Sequence, residues 1–283
     1  MDRFEKSWLL ANAASGSNSP ATLEDLKACL DESGITVQKL ISFPDDALPT
    51  PADLRADDIP LIVIYTGDGT LNAALRQLSG WTGAVLVLPG GTKNLLSKRL
   101  HGDYLHRDII EVVAAGGAVR RRVQVIAGPS GLAYAGLLAG PGTQWGSVRE
   151  AMREGDIAAI ASGMAEAIAK STSETLVRAV SPALGSREGY PLIDMTPGEH
   201  GIQINGYSAT TPGELAQQGW ALLRREFREG PHDRLGIVDE VTLENVDGSP
   251  VEVLLDGEAC EAAPRPTFRV ALSEVDLLAT HHG

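Results

Sequence analysis

The chain has 283 residues, 43% of them hydrophobic and 22% charged, with a formal net charge of −13. Such a balance suits a globular protein with enough length for two cores. It excludes a non-specific nucleic-acid binder, because no basic run offsets the acidity, and leaves docking on an anionic membrane to a local basic patch.

Residues 7–11 predict a first strand, followed by the small residues Asn12, Ala13, Ala14, Ser15, Gly16 and Ser17. Thr22 then caps a helix whose Leu23, Leu26 and Leu30 share one face, with Gly34 ending it. Residues 35–41 read as a second strand, and a Pro- and Asp-rich link over 43–60 holds a short helix at 52–55. Leu61-Ile62-Val63-Ile64-Tyr65 is an apolar run of the kind buried on both faces of a parallel sheet. Thr66-Gly67-Asp68-Gly69-Thr70 follows as a turn, then a helix over 70–78. A third unit repeats the scheme: strand 84–88, turn Pro89-Gly90-Gly91-Thr92-Lys93-Asn94, helix 95–100, and a further helix over 107–115. Strand, turn and helix in repetition predict an open α/β sheet, whose strand C-termini gather the loops that bind ligand.

Past Gly116-Gly117 the texture changes. A strand is expected over 119–127, entered by Arg120, Arg121 and Arg122, which alternate and so cannot all share one face. Alanine-rich and Trp220-containing helices are expected over 157–170 and 213–229. Short strands at 175–180, 201–204, 237–243, 251–255, 268–272 and 275–279 predict an antiparallel sandwich or barrel. The expected architecture is therefore an α/β N-terminal domain with an open, largely parallel sheet over 1–117, and a β-rich, sandwich-like C-terminal domain over 118–283. Cys29 and Cys260 are far apart and in no metal-ligand spacing, which reads as free thiols in a reducing compartment. The apolar run at 8–11 is too short for a signal-peptide core, and no stretch approaches the roughly 18 apolar residues of a transmembrane segment. A cytoplasmic location is expected.

The chemistry concentrates at strand ends. Glycines 67 and 69 let the main chain approach a ligand, and backbone N–H groups at a helix start can hold phosphate. Asp68 between them would repel a bare phosphate unless a cation or a proton transfer is involved. Near the C-terminus Asp256-Gly257-Glu258 places two carboxylates about a glycine, which suits a general base and a cation ligand or else a solvated turn. None of the six histidines has ligand spacing.

The order N-x-x-S-G from Asn12, T-G-D-G-T-L-N from Thr66, P-G-G-T-K-N from Pro89 and D-G-E from Asp256 resembles the diacylglycerol kinase catalytic-domain family, which includes sphingosine and ceramide kinases and bacterial lipid kinases. Each motif is weak alone and the ordered set is specific. The resemblance implies a nucleotide domain and a β-rich lipid domain with the active-site cleft between them, the extreme C-terminus returning to the first domain. It implies ATP phosphates at Asn12, Ser15, Gly16, Thr66, Gly67, Gly69, Thr70, Asn72 and Thr92. Glu258 would accept the proton of the lipid hydroxyl, and Asp68 would hold Mg2+ or orient the acceptor; from the residues alone, Asp256 joins Asp68 as a candidate metal ligand. The implied activity is γ-phosphate transfer from ATP to a diacylglycerol- or sphingoid-like lipid taken from a membrane surface, with homodimerisation through edge strands left open. The alternatives are an NAD-kinase-like phosphotransferase and a silent nucleotide- or lipid-binding regulator. The sequence departs from the family at Ala13, where proline is usual, at Thr66, where glycine is usual, and at Lys93, where a small residue is usual. The acid expected after Asn94 is absent, and residues 190–204 do not match the family's structural-metal loop.

Overall fold

In a computed structural model, the structure describes residues 4–12, 20–91, 94–140, 176–207, 232–261 and 263–281. The helices expected over 157–170 and 213–229 lie outside the described residues. The chain forms two compact units, one of residues 1–123 with 272–283, the other of residues 124–271.

The first unit runs β1 (Lys6–Asn12), α1 (Pro20–Glu32), β2 (Thr36–Phe43), α2 (Pro51–Ala56), β3 (Leu61–Thr66), α3 (Asp68–Gln77), β4 (Ala84–Pro89), α4 (Leu95–His101), α5 (His106–Ala114) and β5 (Val119–Arg121). Strands β1 to β4 pair in parallel in the order β2-β1-β3-β4. Leu61, Val63 and Tyr65 of β3 and Leu86 and Leu88 of β4 pack with Leu26, Leu30, Ile109, Ile110 and Val113 of α1 and α5. The intervening Ile62, Ile64, Val85 and Val87 are buried as well. Both sheet faces are thus covered, which is why these strands read as unbroken apolar runs.

Helix boundaries follow local chemistry. Thr22 lies inside α1, which begins at Pro20, while Gly34 takes φ +79 just past its end, with the Ile35 N–H on the Leu30 carbonyl. Thr50 and Asp53 close a reciprocal capping box on α2. Helix α3 opens at Asp68, two residues before its expected start. Gly67 is its N-cap, and an acid in the first turn is favoured by the helix dipole.

The second unit holds β6 (Gln124–Gly128), β7 (Gly131–Ala133), β8 (Leu137–Gly140), β9 (Val177–Ser181), β10 (Ala183–Leu184), β11 (Leu192–Gly198), β12 (Gly201–Tyr207), β13 (His232–Val238), β14 (Glu240–Asn245), β15 (Glu252–Leu255), β16 (Glu258–Ala259) and β17 (Thr267–Leu272). They form two sheets, ordered β10-β9-β14-β17-β6-β7 and β13-β12-β11-β8-β15-β16. Ile126, Ala179, Leu243 and Phe268 of the first share one core with Leu137, Ile193, Ile204 and Val253 of the second. This is the β-rich, sandwich-like region expected.

Two expected strands divide. Residues 119–127 split into β5 and β6, which belong to different sheets, and residues 237–243 split between β13 and β14. The last strand, β18 (Asp276–Ala279), lies in the first unit's sheet, parallel to β4 and antiparallel to β5. Arg120 and Arg122, two apart on one face, both reach Asp276, with ion pairs at 2.9 and 3.1 Å. Neither Cys29 nor Cys260 forms a disulfide, and among the described residues no helix is long and apolar enough to cross a membrane.

Candidate active site

Parallel strands β1, β3 and β4 end together, so the turns that follow them meet at one edge. Asn12, the last residue of β1, donates from Nδ2 to Thr70 Oγ1 at 2.9 Å. That bond ties the first turn to the second. The first intrahelical bond of α3 runs from the Leu71 N–H to the Gly67 carbonyl at 3.0 Å. The N–H groups of Asp68, Gly69 and Thr70 therefore precede any intrahelical partner and face the strand ends. Asn72 is buried one turn into the same helix.

Asp68 Oδ1 accepts from the Leu95 N–H at 3.0 Å, which joins the second turn to the first residue of α4. Asn94 holds the left-handed conformation before α4, at φ 51. Its side chain accepts from the Gly91 N–H at 2.7 Å and donates to the Gly91 carbonyl at 2.8 Å. Sequence reasoning gave Asn94 no role of its own; the readable signal was an Asn just before a helix, a residue that tolerates αL.

The glycines of these turns divide by cause. A Cβ on Gly90 would lie 2.5 Å from the Thr66 nitrogen, and one on Gly91 would lie 2.6 Å from the Gly67 Cα. Both are required by the seating of the third turn on the second. Gly67 differs: a Cβ there meets no closer atom among the described residues than Gly91 Cα at 4.0 Å, and its φ of −73 suits any residue. Among the described residues, neither packing nor conformation calls for glycine at 67. Thr66, the departure from the family's usual glycine, is buried and turns its hydroxyl onto the Gly67 carbonyl at 3.2 Å. Beneath it, burial pushes the Tyr65 phenol up.

The D-G-E segment is in the second unit. Leu255 pairs with Glu258 across Asp256-Gly257, both at positive φ (49 and 91), as in a two-residue hairpin turn of the I′ kind. Glu258 emerges exposed on β16. Asp256, a candidate cation ligand from the sequence, is bound to backbone amides. It is buried, and its carboxylate accepts the backbone N–H groups of Tyr134 (2.7 Å), Ala135 (2.8 Å) and Gly136 (2.9 Å). Its own N–H donates to the Gly136 carbonyl at 2.9 Å. With both oxygens engaged by three amides, Asp256 latches the hairpin to the approach to β8. No group of three or more His, Cys, Asp or Glu side chains disposed to hold a metal occurs among the described residues. Ser15, Gly16 and Thr92 lie outside the described residues.

Residues 6–126 match the family model described as the diacylglycerol kinase catalytic domain. Among solved structures, the chain is similar to a diacylglycerol kinase from Bacillus anthracis str. Sterne, at 16% identity and a TM-score of 0.65, over 99% of this chain and 98% of that one. Two further structures from the same organism match at 14% identity, with TM-scores of 0.65 and 0.62 and coverage of 98% or more of each chain. No curated protein matches the chain. Such identities establish a shared fold along the whole length. The ordered motifs and the family model thus agree that residues 6–126 resemble the diacylglycerol kinase catalytic domain, while the likeness to solved structures carries the fold over the whole chain.

Proposed function

We propose that the protein is an ATP- and Mg2+-dependent lipid kinase that transfers the γ-phosphate to a hydroxyl of a diacylglycerol- or sphingoid-like lipid. The observation that carries this reading is the locked set of turns at one sheet edge, with an uncommitted glycine at 67 beside the N–H groups that open α3. Phosphoryl transfer asks little covalent chemistry of a protein, and positioned donors and charge neutralisation supply most of the rate. A cradle braced by Asn12–Thr70 and Asp68–Leu95 costs little reorganisation when a triphosphate arrives.

Mg2+ fits this donor set modestly and in its usual manner. The ion is commonly held by one or two carboxylates together with substrate phosphates. Asp68 is the carboxylate of the edge that would hold it, and bound there the ion would neutralise the charge that develops on the transferred group. Glu258, exposed at the end of its hairpin, is the proposed acceptor of the lipid hydroxyl proton.

The test is transfer of labelled phosphate from ATP to a lipid extract, with products identified by mass spectrometry, for the parent, Asp68→Asn and Glu258→Gln. The reading expects a labelled lipid from the parent and, for Glu258→Gln, a loss of at least ~100-fold. Labelling of a soluble dinucleotide and of no lipid would replace it with the NAD-kinase-like activity. Nucleotide binding without transfer to either would replace it with a regulator.

A further inference from the structure

Asn94, the residue before α4, stands in the left-handed region at φ 51 and ψ 43. Glycine is the easiest residue for that backbone, because a Cβ there crowds the carbonyl that follows it. What an asparagine adds at such a position is its side chain. The carboxamide closes on a single residue: Oδ1 accepts the Gly91 N–H at 2.7 Å, and Nδ2 donates to the Gly91 carbonyl at 2.8 Å. Asn94 is only half-buried. Water would serve both Gly91 groups in its absence, so what this pair of bonds contributes is a fixed geometry.

That geometry reaches the second turn by two routes. Gly91 is seated on Gly67: a Cβ added to Gly91 would lie 2.6 Å from the Gly67 Cα, and 3.4 Å from both the Gly67 nitrogen and Asn94 Oδ1. One residue past Asn94, the Leu95 N–H donates to Asp68 Oδ1 at 3.0 Å. The Asn94 carbonyl accepts the Lys98 N–H at 2.9 Å, the bond that starts α4. Asn94 thus holds the third turn with its side chain and the start of α4 with its main chain. These bear on Gly67 and Asp68, which are neighbours in the second turn.

We infer that Asn94 is a positioning residue for the nucleotide: its carboxamide sets the places of Gly67 and Asp68, and it acts through them. This rests on the reading of the strand-end turns as the seat of ATP and Mg2+. Placement counts heavily where a reacting group is held, and a displacement of about 1 Å can cost on the order of 100-fold in rate. Hydrogen bonds at a half-exposed turn, by contrast, add little to overall stability. Ligand affinity and fold stability are therefore separable at this residue.

The test uses the full chain with Asn94→Gly and, separately, Asn94→Ala. Both variants lose the bonds to Gly91; glycine keeps the left-handed backbone without strain, and alanine does not. Affinity for ATP with Mg2+, read by titration calorimetry, should fall by about tenfold in both, the equivalent of one well-placed hydrogen bond. Thermal unfolding should separate the same two variants, with Asn94→Ala melting about 2–4 °C below Asn94→Gly. By NMR-detected hydrogen exchange without ligand, the Leu95 amide should exchange about tenfold faster in Asn94→Gly, because Asp68 no longer meets it steadily. Parental ATP affinity in Asn94→Gly, or an unchanged Leu95 rate, would overturn the inference and leave Asn94 a residue of the turn alone. Phosphate transfer to lipid is scored apart from these measurements. A parent that binds ATP but labels no lipid removes the kinase and leaves the role of Asn94 to the affinities. A parent that labels lipid, beside an Asn94→Gly variant that binds ATP equally well, keeps the kinase and ends the inference. A parent that binds no ATP ends both.

Discussion

The Asp68 carboxylate accepts the backbone N–H of Leu95 at 3.0 Å, so the acid at the start of α3 also anchors the start of α4. If the proposed function holds, the residue has two separable tasks, a tie that needs an acceptor oxygen and a charge that needs ionisation. Asp68→Asn retains an oxygen for Leu95 and loses the charge, whereas Asp68→Ala loses both. Asp68→Asn should unfold within a degree or two of the parent while transfer falls by about 100-fold or more. Asp68→Ala should in addition lose about 1–2 kcal/mol of stability, as when a capping side chain is removed. Parental turnover by Asp68→Asn would leave the residue with the tie alone.

Gly67 and Gly91 face each other across the second and third turns, yet their substitutions should report different things. An alanine at 91 meets Gly67 Cα at 2.6 Å and forces the turns apart, which should cost about 1–3 kcal/mol. An alanine at 67 meets nothing nearer than 4.0 Å among the described residues. Gly67→Ala should leave the thermal midpoint of the unliganded protein unchanged and remove most of the stabilisation that ATP confers. Thermal unfolding of both variants with and without nucleotide decides it; an unaltered ATP response in Gly67→Ala would mean that no ligand approaches there.

Asp256 offers a clean contrast between latch and metal ligand. Asp256→Ala orphans the three amides of residues 134–136 that the carboxylate now satisfies. Each buried amide left unmade costs about 1–3 kcal/mol, so urea unfolding should show a loss of about 3 kcal/mol or more. The Mg2+ concentration that supports half-maximal transfer by the surviving folded fraction should not move. A stable Asp256→Ala variant with a raised Mg2+ requirement would restore the cation role.

What was legible in the sequence was whatever local pattern decides. Strands β3 and β4 announced themselves because burial on both faces leaves only apolar residues, Leu61 to Tyr65 and Ala84 to Leu88. Long-range pairing was not legible. Residues 275–279 read as a strand, but nothing local in Asp276-Leu277-Leu278-Ala279 shows that it inserts beside β4. The strand β11 escaped notice because Asp194 and Pro197 interrupt its apolar pattern; Asp194 is buried and accepts from Asn205 on the neighbouring strand at 3.2 Å. The amide contacts of Asp256 were hidden for a related reason. Spacing shows that two acids flank a glycine, but only the fold shows that one turns inward onto backbone amides while the other, Glu258, turns out.

His101 closes α4 against the returning tail, and its chemistry predicts an acid limit to stability. The imidazole is buried, with Nδ1 3.0 Å from Thr280 Oγ1. Burial lowers its pKa from 6.5 to about 4, the Val87 carbonyl working weakly the other way. With the folded value below the unfolded one, the unfolded chain takes up the proton first as pH falls. This contribution to stability is complete above the unfolded pKa and drains away between about pH 6.5 and pH 4, amounting to about 3 kcal/mol. His101→Gln, which cannot titrate in this range, should flatten that limb in urea unfolding measured from pH 7 to pH 4. Since His101 and Leu100 carry the contacts to Thr280 and His281, hydrogen exchange in residues 276–281 should accelerate on acidification in the parent and stay level in His101→Gln. Identical pH profiles for the two proteins would remove His101 as the source.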